Sequence, residues 1–191
     1  MKLGSLFDGS GTAPLAATML GWEPVWASEI EPCPVAVTTK RFPRMRHVGD
    51  ITKLDGAELE PVDVIVFGSP CQDLSVAGAQ KGIREGERSN LFFEAVRVMR
   101  EMREATNGRQ PRYAVWENVP GAFSSNKGED FLAVLEALAA LAGDRDPLPR
   151  PPRGGCRPTC LENRWVHPGR RLLHRVAHAG CAILGSAPAP S

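Results

Sequence analysis

Apolar and polar positions divide the chain into two stretches of different pattern, with the change near residue 147. Before it, short apolar runs alternate with segments whose apolar residues recur at helical spacing. Residues 3–7 are mostly apolar and predict a strand, followed by a glycine-rich turn and a helix-like segment over 13–20. Residues 24–28 read as a second strand and 34–41 as a second helix. The run Val-Asp-Val-Ile-Val-Phe over 62–67 is rich in β-branched residues, as a buried strand is. Leu91, Ala95, Val98, Met99 and Met102 share helical spacing and predict a helix over 90–104. A further strand is expected over 112–116 and a further helix over 130–141. Such alternation predicts an α/β domain, a mainly parallel sheet with helices on both faces.

Beyond residue 146 the pattern is lost. The last 45 residues hold eight prolines, seven arginines, no lysine and one acidic residue, Glu162. A flexible basic tail that touches nucleic acid is one reading. The preferred one is a GC-rich coding sequence read out of frame, which yields Arg, Pro, Gly and Ala. The expected division is therefore a catalytic domain over 1–146 and a disordered or out-of-frame tail over 147–191.

Composition narrows the picture only a little. A chain of 191 residues suits one domain with a full core. Its net charge of +1 gives no global pull toward nucleic acid, so DNA affinity would need a local patch. No apolar stretch approaches bilayer length and no signal region opens the chain, so the cytoplasm is expected and a membrane is not. The five cysteines, Cys33, Cys71, Cys156, Cys160 and Cys181, are too scattered for a disulfide framework. No metal site is expected.

Chemistry-bearing residues collect where strands end. Leu6-Phe7-Asp8-Gly9-Ser10-Gly11-Thr12 links the first strand to the first helix, and its glycines allow a sharp turn and close ligand approach. Glu29 follows the second strand, where a carboxylate can accept hydrogen bonds from both hydroxyls of a ribose. Asp50, in Gly49-Asp50-Ile51, could accept from an adenine amino group. Alone, each acid reads as an ordinary surface group; at successive strand ends they describe a nucleoside pocket. Val64-Ile65-Val66-Phe67 then runs into Gly68-Ser69-Pro70-Cys71-Gln72, which sets Cys71 just past the end of a central strand. Its polar, Gly/Pro-rich flanks argue against a merely buried thiol. Glu117 emerges at the same edge in Glu117-Asn118-Val119, to cap local backbone donors or to do chemistry.

In that order these elements resemble the cytosine-5 DNA methyltransferases, bacterial and phage enzymes above all. Most specific is a Pro-Cys-Gln loop followed about 45 residues later by Glu-Asn-Val. Leu91-Phe92-Phe93 looks like the helix start that follows the family's cysteine loop, while Thr12 stands where the family often has another glycine. The resemblance implies a Rossmann-like, S-adenosylmethionine-dependent methyltransferase fold, here truncated, of the kind found in restriction–modification systems. It implies Cys71 as nucleophile toward a flipped cytosine of double-stranded DNA, with Glu117 acting on ring nitrogen 3. Phe7, Asp8, Gly9, Gly11, Glu29, Ile30, Asp50, Ile51, Pro70 and Leu91 would form the cofactor pocket. Asn118, with Gln72, would support the cysteine loop, and residues 75–89, with Lys81, Arg84 and Arg88, would close over DNA.

The family's Gln-x-Arg-x-Arg strand and target-recognition domain have no counterpart in this sequence. A weakly active or inactive cofactor-binding fragment, or half of a split enzyme completed by another chain, is thus a second expectation. An RNA methyltransferase with the same parts stays open. A Rossmann-type dinucleotide oxidoreductase would fit the glycine turn and Glu29 but leaves Pro70-Cys71-Gln72 and Glu117-Asn118-Val119 unexplained.

Overall fold

The computed structural model describes residues 1–69, 91–119 and 129–143, together with the backbone of 175–177 and 181–185. Strand β1 (Lys2–Leu6) leads through the glycine turn into helix α1 (Thr12–Met19). Strand β2 (Glu23–Ser28), helix α2 (Pro32–Arg41) and a two-residue strand β3 (Arg46–His47) follow. A single 3-10 turn, Ile51–Lys53, precedes β4 (Val64–Phe67). Helix α3 (Leu91–Ala105), β5 (Tyr113–Glu117) and α4 (Glu129–Leu141) continue the alternation.

Local signals account for the boundaries. Pro32 opens α2 at a position where its missing N–H costs nothing, and Lys40 and Arg41 sit in the last turn, where the helix dipole favours cations. Pro43 directly after the C-cap Phe42 forbids continuation. Gly108, at φ 77°, ends the α3 region and donates its N–H to the Arg103 carbonyl at 2.7 Å.

The sheet runs β3-β2-β1-β4-β5, all parallel, and is extended at β5 by two strands from the tail. These are β6 (Arg175–Ala177) and β7 (Cys181–Gly185), with β7 antiparallel to β5 and Glu117 opposite Cys181. The sequence offered no periodicity there because pairing to an open edge needs only backbone. Strand registers level the carboxyl ends, since Leu6 lies opposite Ser28 on one side and Phe67 on the other, and Phe67 lies opposite Trp116. The chain leaves β1 toward β2 and β3, then returns to β4 on the other side. That reversal is a topological switch point at the carboxyl ends of β1 and β4, the place where open α/β sheets hold their ligands.

Both faces are covered. Leu6, Ile65, Phe67, Ala114 and Trp116 meet α3 and α4 through Phe92, Val96, Met99, Phe131 and Leu135. Leu3 and Val64 turn the other way, toward Ala17 of α1. Each large apolar side chain buried in this way contributes roughly 1.5–3 kcal/mol. Phe67, Phe92, Trp116 and Phe131 form a chain of rings with centroids 6.0, 6.2 and 6.0 Å apart. These rings lie directly under the edge from which Gly68 and Glu117 emerge. They hold β4, β5, α3 and α4 as one support for it.

Candidate functional site at the carboxyl edge of the sheet

The turn after β1 needs its glycines for two different reasons. Gly11 sits at φ 85°, and a Cβ there would come within 2.6 Å of Thr38 and 3.0 Å of Phe42, so it lets α1 start against α2. Gly9, at φ 57°, has no atom of the described residues within 4 Å of an added Cβ. Phe7 takes φ 56° without being glycine, a strained backbone that places the turn back over the sheet.

Glu29 ties this turn to the next strand. Its carboxylate accepts from Gly9 N at 2.8 Å, and from Ile30 N and Glu31 N at 2.8 and 2.9 Å. The backbone donor that would face a diphosphate in a dinucleotide fold is thus already engaged by a carboxylate. Asp8 is buried and accepts from the Ser5 hydroxyl at 2.6 Å through one oxygen. Its other oxygen is buried with no hydrogen-bond partner among the described residues. Burial pushes the Asp8 carboxyl above its ordinary value; the Ser5 hydroxyl and His47 pull it down, and Glu29 adds to the rise. Asp50 caps the 3-10 turn, accepting from Thr52 N at 3.0 Å and the Thr52 hydroxyl at 2.8 Å. Those bonds, more than the nearby Lys53, hold its carboxyl below the ordinary value.

The apolar candidates divide by exposure. Ile30 is 68% exposed beside Glu29, whereas Ile51 is 4% exposed and belongs to the main core. Phe7 and Leu91 are half-buried and pack on that core. Among the described residues the edge thus combines open space over Gly9, an exposed isoleucine, three carboxylates and one buried oxygen lacking a donor. That acceptor set fits a ligand with hydroxyls, an amino group and positive charge, and it suits a diphosphate poorly.

On the β4–β5 side, the Glu117 carboxylate overlies Gly68, and an added Cβ on Gly68 would meet its Oε2 at 3.1 Å. Asn118 is buried, donates Nδ2 to the Ser69 carbonyl at 3.3 Å and accepts from Val119 N at 2.8 Å. Trp116 Nε1 reaches the Ser69 hydroxyl at 3.5 Å. The residue immediately before Pro70 is therefore held to the end of β5. Pro70, Cys71 and Gln72, and the expected closing loop over 75–89, lie outside the described residues.

Sequence reasoning passed over Arg97, whose guanidinium reaches from α3 to the Ile51 and Leu54 carbonyls at 2.9 and 2.8 Å. The only sequence signal was Glu94-x-x-Arg97-x-x-x-Glu101, helix-compatible spacing for ion pairs. Among the described residues no group of His, Cys, Asp and Glu could hold a metal ion, and no helix is long and apolar enough to cross a membrane.

Comparison with known proteins bears on the same residues. The sequence model of the C-5 cytosine-specific DNA methylase family matches residues 1–142. A DNA N-6-adenine-methyltransferase of Escherichia phage P1 is 37% identical over 157 residues, covering 79% of this chain and 21% of that protein. The orphan methyltransferase M.SPRI of Bacillus phage SPR is 36% identical over 147 residues, covering 73% of this chain and 31% of that protein. The type II methyltransferase M2.BsuMI of Bacillus subtilis is 34% identical over 141 residues, covering 74% and 35%. The chain thus spans about a fifth to a third of the length of these relatives. Among solved structures, a prophage-encoded protein of E. coli assigned as a DNA modification methyltransferase aligns with TM-score 0.55 at 24% identity, over 73% of this chain and 38% of that one. The S. pombe Dnmt2 methyltransferase aligns with TM-score 0.50 at 19% identity, over 73% and 40%. At these identities the two structures share the fold.

Proposed function

Because the chain belongs to the C-5 cytosine-specific DNA methylase family, we propose that residues 1–146 bind S-adenosylmethionine and methylate carbon 5 of a cytosine flipped out of double-stranded DNA. This reading is supported by two sets of polar groups at one carboxyl edge of the sheet. Gly9, Glu29 and Asp50 follow β1, β2 and β3, and Glu117 follows β5 beside Gly68, with Ser69, the residue before Pro70, anchored by Asn118. The acidic lining supports a cationic sulfonium ligand over a dinucleotide, whose diphosphate would meet Asp8 and Glu29.

In this reading Glu29 would take the ribose hydroxyls, Asp50 the adenine amino group, and the Asp8 oxygen that has no partner among the described residues the amino end of the ligand. Ile30 packs on the adenine face. When bound, S-adenosylmethionine supplies an electrophilic methyl group. The base must leave the duplex stack to reach this edge. The Cys71 thiolate then adds to carbon 6, forming a sulfur–carbon bond and shifting the ring's electron pair toward carbon 5. Glu117 hydrogen-bonds or protonates ring nitrogen 3 and takes up the charge that addition develops. Carbon 5 would take the methyl group as the sulfonium sulfur–methyl bond breaks to leave a neutral thioether, and would then give its proton to a solvent water as the sulfur–carbon bond to Cys71 breaks and the thiolate leaves. Asn118, through Ser69, keeps the cysteine loop at the right height.

The test is a 5-fluorocytosine oligonucleotide duplex, since fluorine cannot leave as a proton does. A denaturation-resistant adduct that requires S-adenosylmethionine and disappears in Cys71→Ala supports the mechanism. An adduct that survives Cys71→Ala refutes it. A second reading is that a complementing chain carries target recognition. The division into a catalytic unit and a tail is likewise a proposal, with β7 contributing to the sheet edge beside Glu117.

A further inference from the structure

A single 3-10 turn cannot hold itself in place, having too few hydrogen bonds for the residues it fixes. Asp50 nevertheless caps such a turn, and the segment from Ile51 to Gly56 is docked on α3 at several points. The Arg97 guanidinium spans it, donating to the Ile51 carbonyl through one terminal nitrogen and the Leu54 carbonyl through the other. Its orientation is fixed from both sides. Nε donates to Glu94 at 2.8 Å, and Nη1 lies 2.9 Å from each Glu101 oxygen. Glu101 in turn accepts from Gly56 N at 2.7 Å. Gly56 packs so tightly on the Val98 backbone that a Cβ there would collide with it.

We infer that Arg97 is a positioning residue for cofactor recognition: it clamps the 51–54 turn so that Asp50 meets the adenine amino group. This rests on the reading that Asp50 faces adenine. The Oδ1 atom of Asp50 is engaged by Thr52, while Oδ2 lies 3.7 Å from the exposed Lys53 ammonium. Among the described residues the second oxygen is thus the less engaged of the two and the one left for a ligand. A lysine in place of Arg97 keeps a cation between Glu94 and Glu101 but lacks the planar fork that spans both carbonyls. It separates charge from geometry.

The experiment titrates S-adenosylhomocysteine and S-inosylhomocysteine, which carries an oxo group in place of the amino group, into the full chain by calorimetry. The wild type should prefer the adenosine form at least tenfold. In Arg97→Lys and Arg97→Gln that preference should shrink fivefold or more, a change in ratio that a general loss of stability would not produce. Should Arg97→Gln fail to fold, Arg97→Lys alone decides the matter. An unchanged preference in Arg97→Lys overturns the inference while leaving the pocket standing. A wild type that binds both ligands equally removes Asp50 from adenine recognition, and one that binds neither removes the pocket, each taking the clamp with it.

Discussion

Replacing Asn118 tests whether the end of β5 holds the cysteine loop. Asn118→Ala removes the Nδ2 bond to the buried Ser69 carbonyl and the Oδ1 bond from Val119 N. The Ser69 carbonyl has no ready access to water, because Ser69 is 4% exposed. Stranding one buried acceptor costs about 1–3 kcal/mol. Val119 is half exposed, so its N–H can turn to water and adds only a few tenths. The expected loss is about 1–3 kcal/mol in urea denaturation, followed by tryptophan fluorescence and read as a lower midpoint at unchanged slope. Asn118→Asp sharpens the test, since an ionised carboxyl can still accept from Val119 N but faces the Ser69 carbonyl with no proton to donate. Its folded value is then raised above the unfolded one. Stability falls as pH rises from the ordinary carboxylate value through the raised one, by up to about 1.4 kcal/mol per pH unit. At about pH 8 this variant should be less stable than Asn118→Ala, and the gap should narrow or reverse near pH 5, where the protonated carboxyl can donate to Ser69. Losses below about 0.5 kcal/mol for both variants, or a gap that ignores pH, would refute the argument.

Two further outcomes follow from the packing. Gly4→Ala should cost about 3 kcal/mol, because the new Cβ would fall inside the Trp26 indole. That ring is held by its own bond from Nε1 to the Glu60 carbonyl. Thermal unfolding should drop by about 6–12 °C, and a drop under about 2 °C would contradict the packing. For Asp8 the folded carboxyl value is raised, chiefly by burial. The folded state therefore holds the proton more tightly, and wild-type stability falls as pH climbs through that window, then levels off. Asp8→Asn lacks this loss, so the stability difference should move against wild type with rising pH across the acid range; movement the other way would show Asp8 to be paired.

Much of the fold was legible because residue type dictated it. The β-branched run before Gly68 could only be a buried strand, and the glycines at 9 and 11 answer to positive φ. Glu29 and Glu117 could be read as strand-end acids because the strands were. What the sequence hid depends on backbone partners. The grip of Arg97 falls on carbonyls 46 and 43 residues away, and carbonyls carry no residue signature. The left-handed turn at Phe7 contradicts the local preference of an aromatic residue. Strand β3, two residues long, is too short for any period to appear. The pairing of Cys181–Gly185 with β5 likewise left no periodic trace.

Cofactor identity is the centre of the account, and calorimetry of the full chain against S-adenosylmethionine and NAD tests it most directly. S-adenosylmethionine should bind at one site while NAD gives no measurable heat of binding. Glu29→Ala should weaken the S-adenosylmethionine interaction by about 1–3 kcal/mol, the worth of charge-assisted hydrogen bonds to the ribose. Equal affinity for the two cofactors, or an S-adenosylmethionine affinity untouched by Glu29→Ala, would contradict it.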